Sequence, residues 1–227
     1  MTKTRWIIFA ALCLGILGLI FVTSKKDNSN NWNGDATKII STGPIADHVF
    51  GNNAQKVTLI EYGDYQCPGC GSLYAPLKDT LNKYKDNLTF IFRNFPLTTI
   101  HPNALAAATA AEAAGLQGKY YEYHDILYDN QQNWQDVAVN ERTTLFQNYA
   151  KQAGLDVSKF NSDLTSSQVS DKINRDRSSA SQFGVNSTPT LILDGQKLDQ
   201  TTTFDQDKLS QAINDEYKKA GLTPPSN

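Results

Sequence analysis

The sequence predicts an α/β fold, in which a β/α sheet core is interrupted by a helical insertion and preceded by an apolar N-terminal segment. Three observations predict this arrangement. Runs rich in β-favouring residues occupy 56–62 and 88–95, with a helical pattern between them. From 102 to 183 the apolar spacing is helical, and strand signals return only at 190–193. An uncharged stretch near the N-terminus precedes all of these elements.

Length, charge and cysteine content exclude several classes of protein. With 227 residues, the chain forms one or two globular units at roughly 100–200 residues each. The first 26 residues hold four basic residues and no acid, so the remainder carries 17 basic and 23 acidic residues. This acidic body without a basic cluster argues against a nucleic-acid partner. Three cysteines are too few for a disulfide-stapled scaffold, and no spacing of ligands indicates a metal site.

The N-terminal segment predicts export. Two basic residues precede an uncharged apolar run from Trp6 to Val22, which as a helix would be roughly 25 Å long and near the lower limit for crossing a bilayer. We expect residues 1–22 to be an uncleaved transmembrane anchor or, alternatively, a signal helix, although Phe21-Val22-Thr23-Ser24 is a poor cleavage site. The domain would then be extracytoplasmic on a single-pass anchor in the cell membrane, or periplasmic or secreted after cleavage. Residues 23–44 are polar and predict a flexible linker.

The folded part is predicted to begin near residue 45 with a strand, a helix and a second strand. The runs KVTLIEY (56–62) and LTFIFRNF (88–95) are typical of buried strands. Between them leucines recur every four residues, at Leu73, Leu77 and Leu81. A helix is therefore predicted to start at the cysteines, and the three elements predict a right-handed parallel unit.

The second half of the chain is mainly helical before it returns to the sheet. Helical segments are predicted at 104–114, 120–128, 140–152, 157–164 and 169–183. Strands are predicted at 190–193 and 196–198, joined by a tight turn at Asp194-Gly195. The segment 204–220 has the apolar spacing of a closing helix.

The chemistry is predicted to lie at Cys67-Pro68-Gly69-Cys70, which holds both cysteines outside the N-terminal segment. This spacing brings the two sulfurs together in the first turn of a helix, where free N–H groups and the helix dipole stabilise a thiolate. Cys67 would be the exposed nucleophile and Cys70 the resolving thiol. Pro68 suits the first helical position, which needs no N–H donor. A structural disulfide and half of a zinc site are the alternatives. A disulfide that closes so small a loop gains little stability. A zinc site needs a second pair of ligands, and the sequence contains none.

Two carboxylates precede the cysteines. Glu61 falls within the predicted strand, so we expect a partly buried carboxyl with a raised pKa that exchanges protons with Cys70. A solvated charge at the end of the strand is the alternative. Asp64, three residues before Cys67, is a weaker candidate for the same role.

Four blocks of sequence, taken in order, resemble the DsbA-like thiol–disulfide oxidoreductases of the thioredoxin superfamily. They are VTLIEYGDYQCPGC, FRNFPL, HPNALAAATAAEAAGLQGKYYEYHDILYDNQ and FGVNSTPTLILDG. The resemblance implies a thioredoxin fold at 45–98 and 184–227 with an inserted α-helical domain at 99–183, preceded by the N-terminal membrane-anchor or signal helix. It runs from about residue 45 to the end of the chain.

The resemblance also assigns roles to residues. It implies that Cys67 attacks, that Cys70 resolves, and that Glu61 is the buried acid beside the resolving thiol. Thr188-Pro189 takes the place of the family's cis-proline loop, which packs against the disulfide and presents its backbone to substrate. Most X–Pro bonds are trans, so the residues alone favour a trans peptide bond between Thr188 and Pro189. The resemblance, by contrast, implies a cis bond there. Pro68 and Gly69 would adjoin the substrate, and Gly69 stands where the best-known oxidases have a histidine that stabilises the thiolate.

The resemblance predicts donation of the Cys67–Cys70 disulfide to unfolded exported proteins. The redox-active disulfide would serve without any other cofactor, and a membrane partner coupled to quinone would reoxidise it. A disulfide reductase or isomerase is one alternative, although isomerases of this superfamily usually carry a dimerisation domain, for which 23–45 is too short; we expect a monomer. A non-catalytic, membrane-tethered binding module is the alternative from another class.

Five side chains near these blocks are weaker candidates. Tyr65 and Gln66 could line the substrate surface because they directly precede Cys67. His101 is expected to have a capping or surface role, with a place in the active-site groove as the less favoured alternative. His124 lies among aromatic residues, so we expect its ring to pack against them. His48 is expected at the surface or in a turn.

Overall fold

A five-stranded mixed sheet forms the centre of the protein in the computed structural model, which describes residues 34–52, 54 and 56–225. The strands are β1 (Val49–Gly51), β2 (Val57–Gly63), β3 (Leu88–Asn94), β4 (Thr190–Leu193) and β5 (Gln196–Lys197). Their order across the sheet is β1-β3-β2-β4-β5. Strands β2 and β3 are parallel, as the sequence predicted, and the other neighbours are antiparallel.

Helices surround this sheet, and six of them follow one another between β3 and β4. The helices are α1 (Pro68–Tyr84), α2 (Ala104–Gly115), α3 (Tyr120–Asp129), α4 (Gln131–Trp134), α5 (Val139–Gln152), α6 (Val157–Asp163), α7 (Ser167–Ala180), α8 (Gln200–Phe204) and α9 (Gln206–Lys219). The predicted turn at Asp194-Gly195 is confirmed: both residues have positive φ, 43° and 80°, and join β4 to β5. Three short elements, β1, α4 and α8, were not predicted, since so few residues show no periodicity.

The two central strands are buried along their whole length. Successive side chains alternate between the faces of a strand. Leu59 accordingly packs with α1 and the helices of the insertion, while Ile60 and Tyr62 belong to a smaller cluster on the other face. Glu61 shares the face of Leu59, and its neighbours in register are Phe92 on β3 and Leu191 on β4. The fold therefore places one carboxyl within an apolar layer.

Residues 34–44 are attached to the body of the protein, which corrects the predicted flexible linker in this part of 23–44. The Arg93 guanidinium lies in β3, is fully buried, and donates hydrogen bonds to the carbonyls of Ala36 (2.6 Å) and Lys38 (2.7 Å). Arg93 also pairs with Asp47 at 2.8 Å. The chain is held because its carbonyls satisfy a buried cation, and an unpaired cation there would be costly. Residues 23–33 of the predicted linker lie outside the described residues.

Replacing Asp47 by Ala is expected to lower the free energy of unfolding by about 3–5 kcal/mol, because it leaves Arg93 and the buried Lys172 ammonium, 3.3 Å from Asp47, without this partner. Urea denaturation measures the change. Asp215→Ala is the control, since it removes only exposed contacts, a pair with Lys218 and a hydrogen bond from Gln211, and should cost about 0–1 kcal/mol. Equal effects of the two substitutions would contradict a stabilising role for the buried pair.

The predicted membrane anchor at 1–22 lies outside the described residues. Within 34–225, as far as the structure describes them, no helix combines the length and the apolar character needed to cross a membrane.

Candidate active site

The two cysteines lie at the start of α1, where β2 ends. Cys67 is the N-cap residue, with extended backbone (φ −68°, ψ 123°), and Pro68 occupies the first turn. Both cysteines are free thiols, so the structure describes the dithiol form. Cys67 retains 8% exposure and Cys70 only 1%. Both cysteines are therefore largely buried, and Cys67 is the more accessible of the two.

The surroundings of the two sulfurs separate their pKa values. A hydrogen bond with the Cys70 thiol contributes most to lowering the pKa of Cys67 to about 5, and the Thr188 side chain and the N–H groups of Cys70 and Gly69 lower it further. Together they outweigh burial, which raises it. Burial is the main cause that raises the pKa of Cys70 well above its usual value. At neutral pH the site thus holds a thiolate at Cys67 and a thiol at Cys70.

Glu61 lies beneath the cysteines and is more deeply buried than expected, with 4% exposure. Burial, and secondarily the negative charge of Cys67, raises the pKa of its carboxyl to about 8. The charge of Glu61 in turn raises the pKa of Cys70. A carboxyl that titrates near neutral pH beside a buried thiol can both give and accept a proton.

The Thr188-Pro189 loop lies against the start of α1. The peptide bond between the two residues is cis, as the resemblance implied and contrary to the expectation from the residues alone. The Cys67 sulfur lies 3.4 Å from the Thr188 carbonyl oxygen, to which it donates a hydrogen bond when it is protonated. A Cβ atom built on Gly69 would lie 3.2 Å from the Pro189 Cδ and 3.7 Å from the Cys67 sulfur. A side chain at position 69 would therefore require the Pro189 ring to shift by a few tenths of an ångström.

Asp64 organises the loop that precedes the cysteines. It is 1% exposed, and its carboxylate accepts hydrogen bonds from the N–H groups of Gln66 (2.8 Å) and Leu97 (2.9 Å). The Nδ1 atom of His101 lies 2.7 Å from the same carboxylate. The Asp64 N–H points at the Cys70 sulfur, 3.5 Å away. Asp64 therefore positions backbone around the thiol, while His101 stands at the edge of the groove described below.

Gln131 supports the active-site loop and was missed in the sequence. Its buried side-chain amide donates to the carbonyls of Tyr65 (2.7 Å) and Cys67 (2.9 Å). It packs so closely on Gly71 that a Cβ atom there would lie 2.2 Å from its Oε1 atom. A lone glutamine in a helical region carries no local signal for such a contact.

Replacing Gln131 by Ala is expected to lower the free energy of unfolding by about 1–3 kcal/mol, because two loop carbonyls lose their buried donor. The rate at which iodoacetamide alkylates Cys67 should change too, since the N-cap residue is no longer fixed. Gln132→Ala, on the exposed neighbour, is the control for both measurements. If the two variants behave alike, Gln131 does not hold the loop.

An open groove of about 530 Å³ runs beside Cys67. Its lining includes Gln66, Pro68 and His101. Ile100 and Val139 also line it and are 68% and 65% exposed. On the other side of the cysteines, the half-exposed ring of Phe204 reaches Gly69. Exposed apolar side chains around a reactive sulfur are suited to binding polypeptide segments.

Two of the weaker candidates, Tyr65 and His48, take different places from those predicted, whereas Gln66 lines the groove. Tyr65 is buried against Phe92 and does not line a substrate surface. Gln66 touches the groove, but its side chain is bonded to Gln135 and accepts from Asn103. His48 is not a surface residue: its ring stacks on Tyr120, with 3.8 Å between centroids.

His124 packs as predicted, in a cluster of aromatic rings. The cluster contains Tyr65, Tyr74, Phe92, Tyr120, Tyr121 and Tyr128.

Known proteins resemble this chain in sequence. The family model described as Thioredoxin matches residues 44–215. Na(+)/H(+) antiporter NhaA 1 of Mycolicibacterium vanbaalenii is 36% identical over 156 residues, which cover 67% of this chain and 24% of the relative. The protein of the same name from Salinispora arenicola is 32% identical over 186 residues, 82% of this chain and 27% of the relative. The chain thus spans about a quarter of the length of these relatives.

Solved structures resemble the fold. A thioredoxin-like oxidoreductase from Silicibacter pomeroyi is 26% identical, with a TM-score of 0.58, and covers 73% of this chain and 91% of its own. Oxidised BdbD of Bacillus subtilis has a TM-score of 0.66 at 20% identity, over 80% and 99% of the two chains. For α-DsbA1 of Wolbachia pipientis the TM-score is 0.64 at 23% identity, over 77% and 92%. The chain belongs to the thioredoxin family and has the fold of the DsbA-type thiol–disulfide oxidoreductases.

Proposed function

We propose that this protein is an extracytoplasmic thiol–disulfide oxidoreductase that donates the Cys67–Cys70 disulfide to thiols of exported proteins. The observation that carries the proposal is the asymmetry of the two sulfurs. Cys67 is the more accessible of the two, lies beside a groove and has a lowered pKa, whereas Cys70 is buried near Glu61 and has a raised one. A thiol of low pKa is a good leaving group, which favours net transfer of the disulfide to substrate.

The reaction begins when a substrate thiolate attacks the Cys67 sulfur of the oxidised protein. A bond forms between the substrate sulfur and Cys67, the Cys67–Cys70 bond breaks, and its electron pair goes to the Cys70 sulfur. Because Cys70 is buried, its thiolate takes a proton, and Glu61 is placed to give it.

A second substrate thiolate completes the transfer. It attacks the substrate sulfur of the mixed disulfide, a substrate disulfide forms, and the Cys67 thiolate leaves. The substrate has lost two electrons and the protein has gained them as a thiolate at Cys67 and a thiol at Cys70. The low pKa of Cys67 helps this step because the leaving sulfur needs no proton.

The surface around Cys67 suits unfolded polypeptides. Ile100 and Val139 on one side and Phe204 on the other offer apolar contacts without a closed pocket. The loop at Thr188-Pro189 supplies backbone groups beside the sulfur. Reoxidation by a membrane partner linked to quinone, attachment to the cell membrane through residues 1–22, and action as a monomer complete the proposal.

The redox equilibrium of the purified protein with glutathione tests this direction of transfer. We expect a reduction potential well above the roughly −270 mV of thioredoxin, towards the roughly −120 mV of strongly oxidising members of the superfamily. A value close to that of thioredoxin would favour a reductase. A protein whose cysteines exchange no disulfide with glutathione would be a binding module.

A further inference from the structure

A small cavity lies behind the active-site helix, between β2, α1 and α3. It offers about 40 Å³, which is enough for water, since one molecule needs roughly 10–15 Å³. Much of its lining is apolar or aromatic, but Glu61 from β2 and His124 and Tyr128 from α3 also line it. The carboxyl that serves Cys70 therefore shares a partly open cavity with an imidazole and three phenols, and the half-exposed Lys78 and Asp125 line the same cavity.

Two of these polar groups, those of His124 and Tyr128, lack protein partners on the cavity side within the part of the chain that the structure describes. The Nε2 atom of His124 and the hydroxyl of Tyr128 are buried without any hydrogen-bonding partner among the described residues. Leaving a buried polar group unpaired costs about 1–3 kcal/mol. Groups of this kind in a native protein indicate bridging water or a catalytic role.

The opposite nitrogen of His124 leads to solvent. Nδ1 lies 3.1 Å from the Asp125 carboxylate, whose other oxygen lies 2.8 Å from the Lys78 ammonium. Asp125 and Lys78 are 32% and 43% exposed. Nδ1 therefore carries the proton that Asp125 accepts, and Nε2 is left as an acceptor towards the cavity.

We propose that His124 is a positioning residue that relays protons between Glu61 and solvent through water in this cavity; the inference rests on the proposed function. When the dithiol is reoxidised, the Cys70 proton passes to the Glu61 carboxylate and then through water to Nε2, while the proton on Nδ1 leaves through Asp125. During disulfide donation the protons move in the opposite direction: one proton enters at Nδ1 of His124, and the proton on Nε2 passes to Glu61. No electrons move along this path.

The groups around His124 allow it to act at neutral pH. Those that titrate or carry charge are Glu61 on β2, Tyr65 in the following loop, Tyr74 and Lys78 on α1, and Tyr120, Tyr121, Asp125, Tyr128 and Asp129 on α3. Burial lowers the pKa of His124, so that the ring is neutral and can accept a proton. The pKa values of Tyr65, Tyr120, Tyr121 and Tyr128 are well above the usual one, again because of burial, so these phenols stay protonated.

The test follows the step in which Cys70 loses its proton. The reduced full-length protein is mixed with oxidised glutathione, and mass spectrometry of quenched samples times the decay of the mixed disulfide at Cys67. We expect His124→Phe, which keeps an aromatic ring but removes both nitrogens, to slow this decay at least ~10-fold at pH 7 and to steepen its rise with pH. Alkylation of Cys67 by iodoacetamide should keep its wild-type rate and pH midpoint.

His48→Phe is the control for loss of an imidazole outside this cavity; the His48 ring stacks on Tyr120 and pairs with the buried Glu112, so the comparison uses the folded variant. Its mixed disulfide should decay at nearly the wild-type rate. Wild-type decay and pH dependence in a folded His124→Phe variant would overturn the relay, whereas a wild-type protein that never resolves its mixed disulfide would overturn the proposed function itself. If His124→Phe does not fold, Asp125→Asn decides: slower decay supports the path to solvent, and an unchanged rate contradicts it.

Discussion

A Cys70→Ala variant is expected to accumulate a mixed disulfide at Cys67. The Cys67 thiolate can still attack a disulfide of a partner, forming a bond to one partner sulfur and releasing the other as a thiolate. The resolving thiol is then missing, so the adduct persists. Its amount after incubation with oxidised glutathione or with exported proteins, measured by mass spectrometry under non-reducing conditions, should approach the amount of the variant.

Cys67→Ala is the matched control, because it keeps Cys70 but removes the less buried sulfur, which lies between two residues of the groove lining. We expect it to form almost no adduct, since Cys70 is 1% exposed and its pKa is raised well above the usual value by burial. Comparable adducts on both variants would mean that the two sulfurs are not divided into an attacking and a resolving one. Adducts on neither would indicate a domain that only binds.

Glu61→Gln is expected to slow both steps that involve Cys70 by about 100-fold at pH 7, the lower end of what a general acid–base group contributes. Glutamine keeps the shape of the side chain but cannot carry the proton. The rate of wild-type mixed-disulfide decay should rise with pH as Glu61 loses its proton. In the variant the inflection near pH 8 should disappear and the rate should instead rise steeply as Cys70 itself loses its proton, while Cys67 alkylation should remain as fast as in the wild type. Equal decay rates of the wild type and the Glu61→Gln variant at pH 7 would show that Glu61 takes no part in the reaction.

The same substitution should change how stability depends on pH. In the unfolded chain Glu61 titrates at its usual value of 4.5, and in the folded dithiol protein burial raises this pKa to about 8. The native state thus holds a proton that the unfolded state has lost, so the wild type loses stability as the pH rises from 4.5 to about 8. The reduced Glu61→Gln variant should match the wild type at pH 4 and exceed it at pH 9 by up to about 5 kcal/mol. A constant difference would show that Glu61 titrates normally.

The sequence predicted the parts of the site that rest on local pattern. Cys67 and Cys70 sit at the start of a helix after a strand, and that order was visible in the apolar spacing. The apolar run of β-favouring residues at 56–62 placed Glu61 in a strand, but its full burial depends on Phe92 and Leu191 from the neighbouring strands. Burial of this kind is a tertiary property, so one strand could indicate it only in part.

Contacts between distant residues explain what could not be predicted. Gln131 reaches the Cys67 carbonyl across 64 positions, and Arg93 reaches Ala36 across 57. Neither pairing leaves a periodic signal in the sequence. The polar composition of 34–44 therefore indicated a linker, although these residues satisfy buried side chains of the body.

The pH dependence of the thiolate absorbance of Cys67 in the reduced protein tests the central claim most directly. Its interactions with the Cys70 thiol and the Thr188 side chain, and with the first N–H groups of α1, should give a midpoint near pH 5 that is absent from Cys67→Ala. A midpoint near the ordinary cysteine value of about 8.5 would show that these groups do not stabilise the thiolate, and it would contradict disulfide donation from Cys67.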